Sequence, residues 1–528
     1  MFSKLRSLIG GRSNAPARAK PGSQYMRGEG AQVFWGWNPI LRDAREDVRA
    51  AYWRSAARTI DVLHNSGWLA GVVQKGVSSV LGKGLRLALK PDFEAIGWDQ
   101  KQSSDWARLV ERRFEGWASD PLECDASGKF DLSQLASAAV RSHFGPGEWT
   151  AWMRWIERSC STTATKIMLL PAHRMTQESN GVDLFQGVRI DADGLPASYR
   201  FRLTQPILET GQIVELRARD SANRTIVKHC FEGDIGQMRG ISPFAPVLQV
   251  LRQFDQLANA TLSTALLQAL FAATTTSPAP TQDILAAFET ADEQGVGGSL
   301  DGYMEARAGW HDKTKIDLGG LGRIAHLFPG EELKFLRSET PNSNYEPFAR
   351  WLLREIAACG GFTFEDVTGD YTGATYSSIK MATTTNWPIQ LRRRKHIAAP
   401  LYQTALECWL EEEVEAGRIE FPGGIEHLRK ARKAACRAKW LGPAKPIPDE
   451  IKFAAANQTL YGLGATTLEQ ICADMGLSWE DVLEQLARER DKRKELGLPE
   501  PAITAQAEMM KAAMSPDEPP KKGKKDDA

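Results

Sequence analysis

The sequence lacks the residue patterns from which disulfide frameworks and metal sites are built. Its seven cysteines are scattered over 528 residues, form no Cys-x-x-Cys pair and are odd in number. The eight histidines show no metal-ligand spacing, and neither a His-Glu-x-x-His nor a Gly-x-Ser-x-Gly motif occurs. These absences argue against zinc proteins, disulfide-stabilised secreted proteins and the common hydrolases, and they fit a reducing compartment.

A phosphate-binding loop is missing as well. The stretch from Gly76 to Gly84 superficially suggests one, but the spacing to its Gly-Lys pair is one residue too long, and Gly84 stands where Ser or Thr should bind magnesium. A turn that ends a helix and begins a strand explains both glycines. Asp366 and Asp370 share one loop without a further acidic neighbour, so a solvated loop explains them better than a divalent-cation site. We predict no catalytic residue, no cofactor and no metal.

Neither sign of charge is in excess, because 66 Lys and Arg balance 66 Asp and Glu. A protein that wraps DNA tightly needs a broadly basic surface, so the balance disfavours wrapping but permits a protein through which DNA slides. No run approaches the roughly 18 apolar residues of a membrane span. The first residues also lack the apolar core of a signal peptide, so we expect no membrane contact and synthesis in the cytoplasm.

A hydrophobic fraction of 42% is enough for a sizeable core, and 528 residues correspond to two to four compact units. Helical periodicity from Asp43 to Gly82 is followed by a strand, Leu85 to Leu89, and by two more helices between 102 and 142. Short segments of alternating apolar and polar residues then run from Glu148 to Cys230 and predict strands. Together these patterns predict an α+β fold.

Beyond residue 240 the pattern changes to long helices separated by an insertion. From Pro246 to Phe271 the apolar residues follow a helical rhythm for roughly 40 Å, at about 1.5 Å per residue. A Gly-rich insertion runs to about Phe335, and a second helix spans about Glu346 to Cys359. A polar loop, Thr363 to Thr375, comes next.

The remaining third of the chain is predicted to be mostly helical. The stretch from Tyr376 to Glu415 contains Pro388 and Pro400, each of which removes a backbone donor and clashes with the preceding turn, so we expect a kink or break. Residues 424–497 are helical and charged in pattern. The end of the chain, 501–528, combines Pro, Lys and Asp and is predicted to be disordered.

The most basic feature is a run of four cations near Trp387, which are candidate contacts to phosphate or to a neighbouring subunit: Arg392, Arg393, Arg394 and Lys395. Four successive cations on a helix point in all directions, and the acidic residues 411–413 follow further along. Ion pairing between subunits, or a solvated face, explains the run at least as well as contact with DNA.

Three separated segments carry a resemblance to a known family. The first is Asp370-Tyr371-Thr372-Gly373-Ala374-Thr375-Tyr376-Ser377-Ser378, which follows the helix ending at Gly360-Gly361. The second runs from Asn65 to Leu87, and the third runs from Gly236 to Pro246, before the long helix. In this order, over roughly residues 30 to 440, they resemble the lambda family of portal proteins of tailed double-stranded-DNA bacteriophages.

The resemblance implies a phage portal fold that assembles into a ring, usually of twelve subunits. The implied parts, in chain order, are a flexible N-terminal arm (1–30), an α+β wing (31–242), a stem helix (243–277), a clip (278–338), a second stem helix (339–361), a channel or tunnel loop (362–376), a kinked helix with wing and crown (377–440), a helical C-terminal crown region (441–500) and a disordered tail (501–528).

Six residues of the channel loop would face or border the DNA: Thr368, Asp370, Tyr371, Thr372, Thr375 and Tyr376. Hydroxyls and one carboxylate give weak, replaceable contacts, which suit sliding DNA better than Lys or Arg would.

The function implied by the resemblance is passive. The ring would form the DNA channel at the capsid vertex, through which the terminase packages the genome and from which the genome is later ejected. Implied partners are double-stranded DNA, the terminase large subunit, the major capsid protein or scaffold, and head-tail connector proteins, with no membrane and no enzymatic activity. The expected location is the virion, after assembly in the host cytoplasm. Two alternatives stay open: a nuclease or ATPase of the packaging machinery, and a structural scaffold without a channel.

Overall fold

The computed structural model describes residues 39–203, 212–270, 273–276, 309, 332–335, 345–446 and 450–498. The predicted N-terminal arm (1–30) and tail (501–528) lie outside the described residues. Of the predicted clip (278–338), only residue 309 and a short strand are described. Helices alternate with antiparallel strands along the chain, which confirms the α+β prediction.

Two helices that meet at Ser66 begin the described chain, α1 (Ala44–Asn65) and α2 (Gly67–Leu81). Helix α2 ends at Gly82, whose φ of 59° lies in the region that favours glycine. Gly76 lies within α2, where an added Cβ would come within 2.8 Å of the Phe144 ring. The glycines of this segment therefore serve a helix end and close packing, as the turn interpretation predicts.

The first strand and four further helices follow: β1 (Arg86–Leu89), α3 (Phe93–Ile96), α4 (Gln100–Ser119), α5 (Pro121–Cys124) and α6 (Leu132–Phe144). A capping box begins α6, because the Asp131 carboxylate accepts from Gln134 N at 2.7 Å while Gln134 Oε1 accepts from Asp131 N at 3.0 Å. Gly145 ends the helix. The second of the two helices predicted between 102 and 142 is thus confirmed.

Antiparallel sheets form the β part of the fold. The strands are β2 (Glu148–Trp155), β3 (Thr165–Leu170), β4 (Leu184–Phe185), β5 (Val188–Ile190), β6 (Pro196–Leu203), β7 (Gln212–Arg217) and β8 (Val227–Phe231). Strand β2 lies between β3 and β8, whereas β4 to β7 form a second sheet in sequence order. A turn joins β5 to β6, in which Asp191 Oδ1 accepts from Asp193 N and Leu195 N.

The two long helices predicted beyond residue 240 are confirmed as α7 (Leu248–Leu270) and α8 (Tyr345–Gly360), and they contact each other. Between them in sequence, β9 (Ala273–Thr276) pairs antiparallel with β10 (Glu332–Phe335). The start of α7 and one face of α8 are buried in the main core of the molecule. The inserted chain therefore begins and ends at one two-stranded ribbon.

The predicted break of the third helical stretch occurs at one proline and not at the other. Helix α10 (Tyr376–Arg393) continues through Pro388, a π-helical turn covers 394–398, and α11 (Ala399–Glu415) begins with Pro400. Pro400 has no N–H for the His396 carbonyl, and that oxygen accepts the Cys230 thiol instead. The His396 carbonyl, which lacks its usual helical donor, is thus still hydrogen-bonded. The break in the helix is limited to one local π turn.

The region predicted to be only helical, 424–497, contains a strand, and this part of the prediction is wrong. Helix α12 (Gly424–Ala435) is followed by β11 (Ala438–Leu441), which pairs antiparallel with β1. Leu87 lies opposite Trp440 in this register. The pairing ties the chain after α12 to the beginning of the molecule.

A buried ion pair connects α1, β2 and the segment leading to α7. Arg239 and Glu148 are each 0% exposed, and Arg239 Nε donates to both carboxylate oxygens of Glu148 at 2.8 and 3.0 Å. Arg239 Nη2 also donates to Tyr52 Oη at 2.7 Å, and Gly240 N donates to Glu148 Oε2 at 2.7 Å. Burial raises the pKa of Glu148, but the charges of Arg239 and His229 outweigh it and hold that pKa well below its usual range.

The C-terminal unit, 450–498, consists of α13 (Glu450–Gly462), α14 (Leu468–Asp474) and α15 (Trp479–Glu495). No described residue of the unit belongs to either apolar core. Ion pairs join it to the body instead, since Glu469 pairs with Lys90 and Lys439, Asp481 with Arg86, and Glu484 with Arg108. Contacts of this kind are weak and salt-sensitive because the charges are solvated.

We expect the C-terminal unit to separate from the body at high salt. Raising NaCl from 0.1 to 1 M, or replacing Glu469 with Lys, removes ion pairs without changing either core. Protease cleavage between residue 446 and the unit should then become several-fold faster, as followed by mass spectrometry of the fragments. The variant Glu495→Lys, whose carboxylate pairs only with Lys492 inside α15, is the control. Equal cleavage rates for the two variants would contradict the prediction.

Candidate nucleic-acid interface

The predicted channel loop contains a short helix, α9 (Phe364–Thr368), between α8 and α10. Thr363 caps α9, because its Oγ1 accepts from Asp366 N at 2.9 Å while Asp366 Oδ2 accepts from Thr363 N at 3.1 Å. The helix ends at Gly369, whose φ is 70°. The loop is therefore shorter and more ordered than its polar sequence indicates.

The Asp370 carboxylate ties the loop to the second long helix. Its Oδ1 accepts from Thr372 N at 2.9 Å, and its Oδ2 lies 2.9 Å from Arg350 Nη2 on α8. Hydrogen bonds from Thr372, together with the Arg350 charge, lower the pKa of Asp370. Arg350 also pairs with Glu346 at 3.0 Å, within α8. Asp370 is thus a positioning residue of the loop, and its carboxylate is already occupied.

The structure brings the six predicted loop residues together but gives them different exposure. Tyr371 is 55% exposed, and Thr372 and Thr375 are exposed, whereas Thr368 is half-buried and donates to the Phe364 carbonyl at 2.9 Å. Thr375 caps α10 by accepting from Ser378 N at 3.2 Å, and Tyr376 is the first residue of that helix. The tip formed by Tyr371 and Thr372 is the part most available to DNA.

The two aspartates of the loop do not converge on a cation site. Asp366 Oδ2 accepts from Thr363 N, and Asp370 accepts from Thr372 N and pairs with Arg350. Within the described parts of the chain, no group of three or more His, Cys, Asp or Glu residues is arranged to hold a metal ion. Cap and ion-pair roles account for both carboxylates.

The structure buries one cation of the predicted basic run, half-buries the next and leaves two exposed. Arg393 is 4% exposed and lies over the Phe144 ring at 4.9 Å, and burial lowers its pKa to about 10. Arg394 donates to the carbonyls of Val80 at 3.0 Å and Pro443 at 2.9 Å. Arg394 thus already contacts carbonyls of its own chain, and contacts of Arg393 and Arg394 to phosphate or to a neighbouring subunit stay predictions.

The other two cations of the run remain on the surface. Arg392 pairs with Glu232 at 3.3 Å and its side chain is 62% exposed, while Lys395 is exposed on the π turn. Their contacts to phosphate or to a neighbouring subunit stay predictions.

The acidic residues that follow the basic run along the chain are buried. Glu411, Glu412 and Glu413 are 3 to 5% exposed. Glu411 pairs with Arg429 at 2.7 Å and Arg432 at 2.8 Å, while Glu412 accepts from the backbone N–H groups of 164 and 165. One feature of the sequence indicates these ion pairs. Cationic residues recur on α12 at the spacing of one helical turn, so they lie on one face of that helix.

No helix of the described ranges is long and apolar enough to cross a membrane.

A family model described as phage portal protein, lambda family, matches residues 33–394. Over 511 residues the chain is 27% identical to the portal protein of Escherichia phage N15, with 96% of each chain covered. Over 478 residues it is 26% identical to portal protein B of Escherichia phage lambda, covering 89% of this chain and 90% of that one. These matches confirm the resemblance found in the loop and helix motifs.

Among solved structures, the chain is similar to one in the neck of an empty GTA particle computed with C6 symmetry. The TM-score is 0.44 and the sequence identity 15%, over 79% of this chain and 93% of that chain. The family model, by contrast, spans well over half of the sequence and includes α7, α8 and the loop between α8 and α10. The chain belongs to the lambda family of phage portal proteins.

Proposed function

We propose that copies of this chain assemble in the host cytoplasm into a ring, with about twelve subunits, at one capsid vertex. The terminase large subunit docks on the ring and drives double-stranded DNA through it, head-tail connector proteins bind afterwards, and the genome leaves by the same route. The chain contributes a channel and no reaction. The major capsid protein or scaffold surrounds the ring.

The observation that carries this proposal is the loop between α8 and α10. The exposed tip of this loop consists of Tyr371 and Thr372, neither of which is cationic. The Arg350–Asp370 ion pair at 2.9 Å connects the loop to α8. A neutral tip suits a surface along which phosphates slide, because few counterions are released on each contact. In the ring, the long helices α7 and α8 of each subunit hold its loop at the central channel.

The implied parts of the portal fold follow the same order. We assign the α+β body to the wing, α7 and α8 to the stem, the chain between β9 and β10 to the clip, and 450–498 to the crown. The two-stranded ribbon of β9 and β10 supports the clip assignment, because it brings the two ends of the insertion together.

The test is electron microscopy of the purified full-length chain, together with its native mass. We expect rings with a central hole wide enough for duplex DNA. A compact monomer at every concentration, with no pore either in isolation or at the capsid vertex, would contradict the proposal.

Replacing Thr372 with Lys should slow DNA translocation. Each added lysine at the channel tip creates a phosphate contact that must break as the duplex advances, so we expect a several-fold slower rate at low salt and a smaller difference at high salt. In vitro packaging with wild-type and variant procapsids measures the rate. Thr372→Ser, which keeps the hydroxyl, is the control. Thr375 is avoided because it caps α10. Unchanged rates at low salt would remove Thr372 from the channel lining.

A further inference from the structure

A groove of about 870 Å³ lies between α11, α12 and β8, and no residue of the channel loop lines it. Four lysines from three separate parts of the chain converge on it: Lys228, Lys395, Lys430 and Lys433. Among the described residues, none of the four has a carboxylate within ion-pair distance. Arg429 and Arg432, which also line the groove, share the Glu411 carboxylate, and Arg429 pairs further with Glu415 and Glu426. One carboxylate, Glu407, also lines the groove and accepts from Gln403, so the groove carries an excess of positive charge rather than positive charge alone.

The groove is not uniformly polar. Between the lysines, its lining contains small or apolar side chains from α11, α12 and β11: Ala399, Pro400, Ala431, Ala434 and Trp440. A nucleic-acid backbone would satisfy the lysines and leave this apolar surface facing charged phosphates. A protein segment that carries carboxylates beside apolar side chains would cover both kinds of surface.

The π turn at 394–398 positions one of the four lysines. Arg394 is directed inward onto the carbonyls of Val80 and Pro443, and the next residue, Lys395, is exposed at the groove. The turn is anchored on its other side, because the Ile397 carbonyl accepts from Trp149 Nε1 at 3.0 Å. Such turns interrupt helices most often where a side chain must be placed for a function.

We propose that this groove is a docking site for an acidic, amphipathic segment of another protein, with Lys228, Lys395, Lys430 and Lys433 pairing with its carboxylates. The apolar side chains of the segment lie against Pro400 and Trp440. This goes beyond the DNA channel, since the groove and the channel loop share no residue. The docking site can therefore be tested independently of the ring.

The test uses the full-length chain and a fluorescent synthetic helix in which glutamates and leucines occupy adjoining faces. We expect saturable binding that weakens about tenfold in Lys430→Glu/Lys433→Glu, since four cations act together on one segment. Both lysines are exposed on α12, so these changes leave the core intact. The matched control Lys101→Glu/Lys129→Glu reverses two exposed lysines elsewhere and should change binding less than twofold.

Two further probes decide the chemistry of the partner. A peptide with glutamine in place of each leucine should bind several-fold more weakly, because it cannot cover the apolar surface. A short DNA duplex should not displace the amphipathic helix. Displacement by duplex, equal binding of the glutamine peptide, or no effect of the α12 charge reversal would each overturn the proposal. None of these outcomes bears on ring formation, which microscopy reports separately.

Discussion

Replacing Arg239 with Ala is expected to destabilise the chain by about 3–5 kcal/mol, enough to abolish most of the folded state of many domains. The change leaves the Glu148 carboxylate uncompensated at 0% exposure. It also leaves the carbonyls of Ala172 and Gln186, which accept from Arg239 at 3.0 and 3.1 Å, without this donor. An unpaired buried charge costs far more than a lost surface contact, because water cannot replace the partner.

Urea or thermal unfolding, followed by circular dichroism, measures the loss. Arg189 is a matched control, since it also pairs with two carboxylates, Asp183 and Glu215, but its side chain is 31% exposed. Arg189→Ala should cost much less than Arg239→Ala, because solvent screens its ion pairs. Similar losses for the two variants would show that burial does not set the strength of the Arg239 contact.

The position of this ion pair links stability to function. Arg239 lies nine residues before α7, and Gly240 passes so close to β2 that an added Cβ would lie 2.3 Å from the Gly147 carbonyl oxygen. The segment that leads into the first long helix is thus fixed against α1 and β2.

The free energy of unfolding is expected to fall as the pH drops from about 6.5, in two overlapping windows. Burial, reinforced by Arg393 and Arg392, lowers the pKa of His143 to about 3 from its usual 6.5. Below pH 6.5 the unfolded chain therefore binds a proton that the folded chain does not, and stability is lost down to about pH 3. A shift of this size corresponds to on the order of 4 kcal/mol.

Glu148 acts in the second window. Its pKa lies below the ordinary value of 4.5 in the folded chain, so its contribution is present above pH 4.5 and is lost as the pH falls further. Only the His143 contribution falls between pH 6.5 and 4.5, which separates the two groups experimentally.

Denaturant unfolding at pH 7.5, 6.5, 5.5 and 4.5 measures the profile. His143→Gln cannot take up a proton and should flatten it between pH 6.5 and 4.5. The exposed His64 is a control position, and His64→Gln should leave the slope unchanged. A slope that persists in His143→Gln would assign it to other groups.

Local patterns in the sequence predicted the main elements of the fold. The helix expected from Pro246 to Phe271 is Leu248–Leu270, and the helix expected from Glu346 to Cys359 is Tyr345–Gly360. Both helices could be predicted because apolar residues recur every three or four positions over several turns. Strand β11 was not accessible, since its four residues carry no periodic signal and their partner lies about 350 residues earlier in the chain.

The candidate site, like the fold, could be predicted only in part from the sequence. The polar loop and its Thr, Asp and Tyr residues were visible in the sequence, and the cap at Thr375 is local to residues 375–378. The Arg350–Asp370 pair, by contrast, depends on how the loop packs against α8. The basic run was visible too. Which of its members are buried was decided by Phe144 and Val80, which belong to the N-terminal helices.

By itself, the sequence determined most of the elements, their order and the neutral character of the loop tip, because each of these depends on residues close together in the chain. Three separated motifs in a fixed order indicated the portal family. The tertiary structure alone decided which charges are buried and with whom they pair. Glu148 and Arg239 are 91 residues apart, and Lys228 and Lys433 meet only across a groove. The strength of a charge interaction depends on distance and exposure, and both are properties of the packed chain.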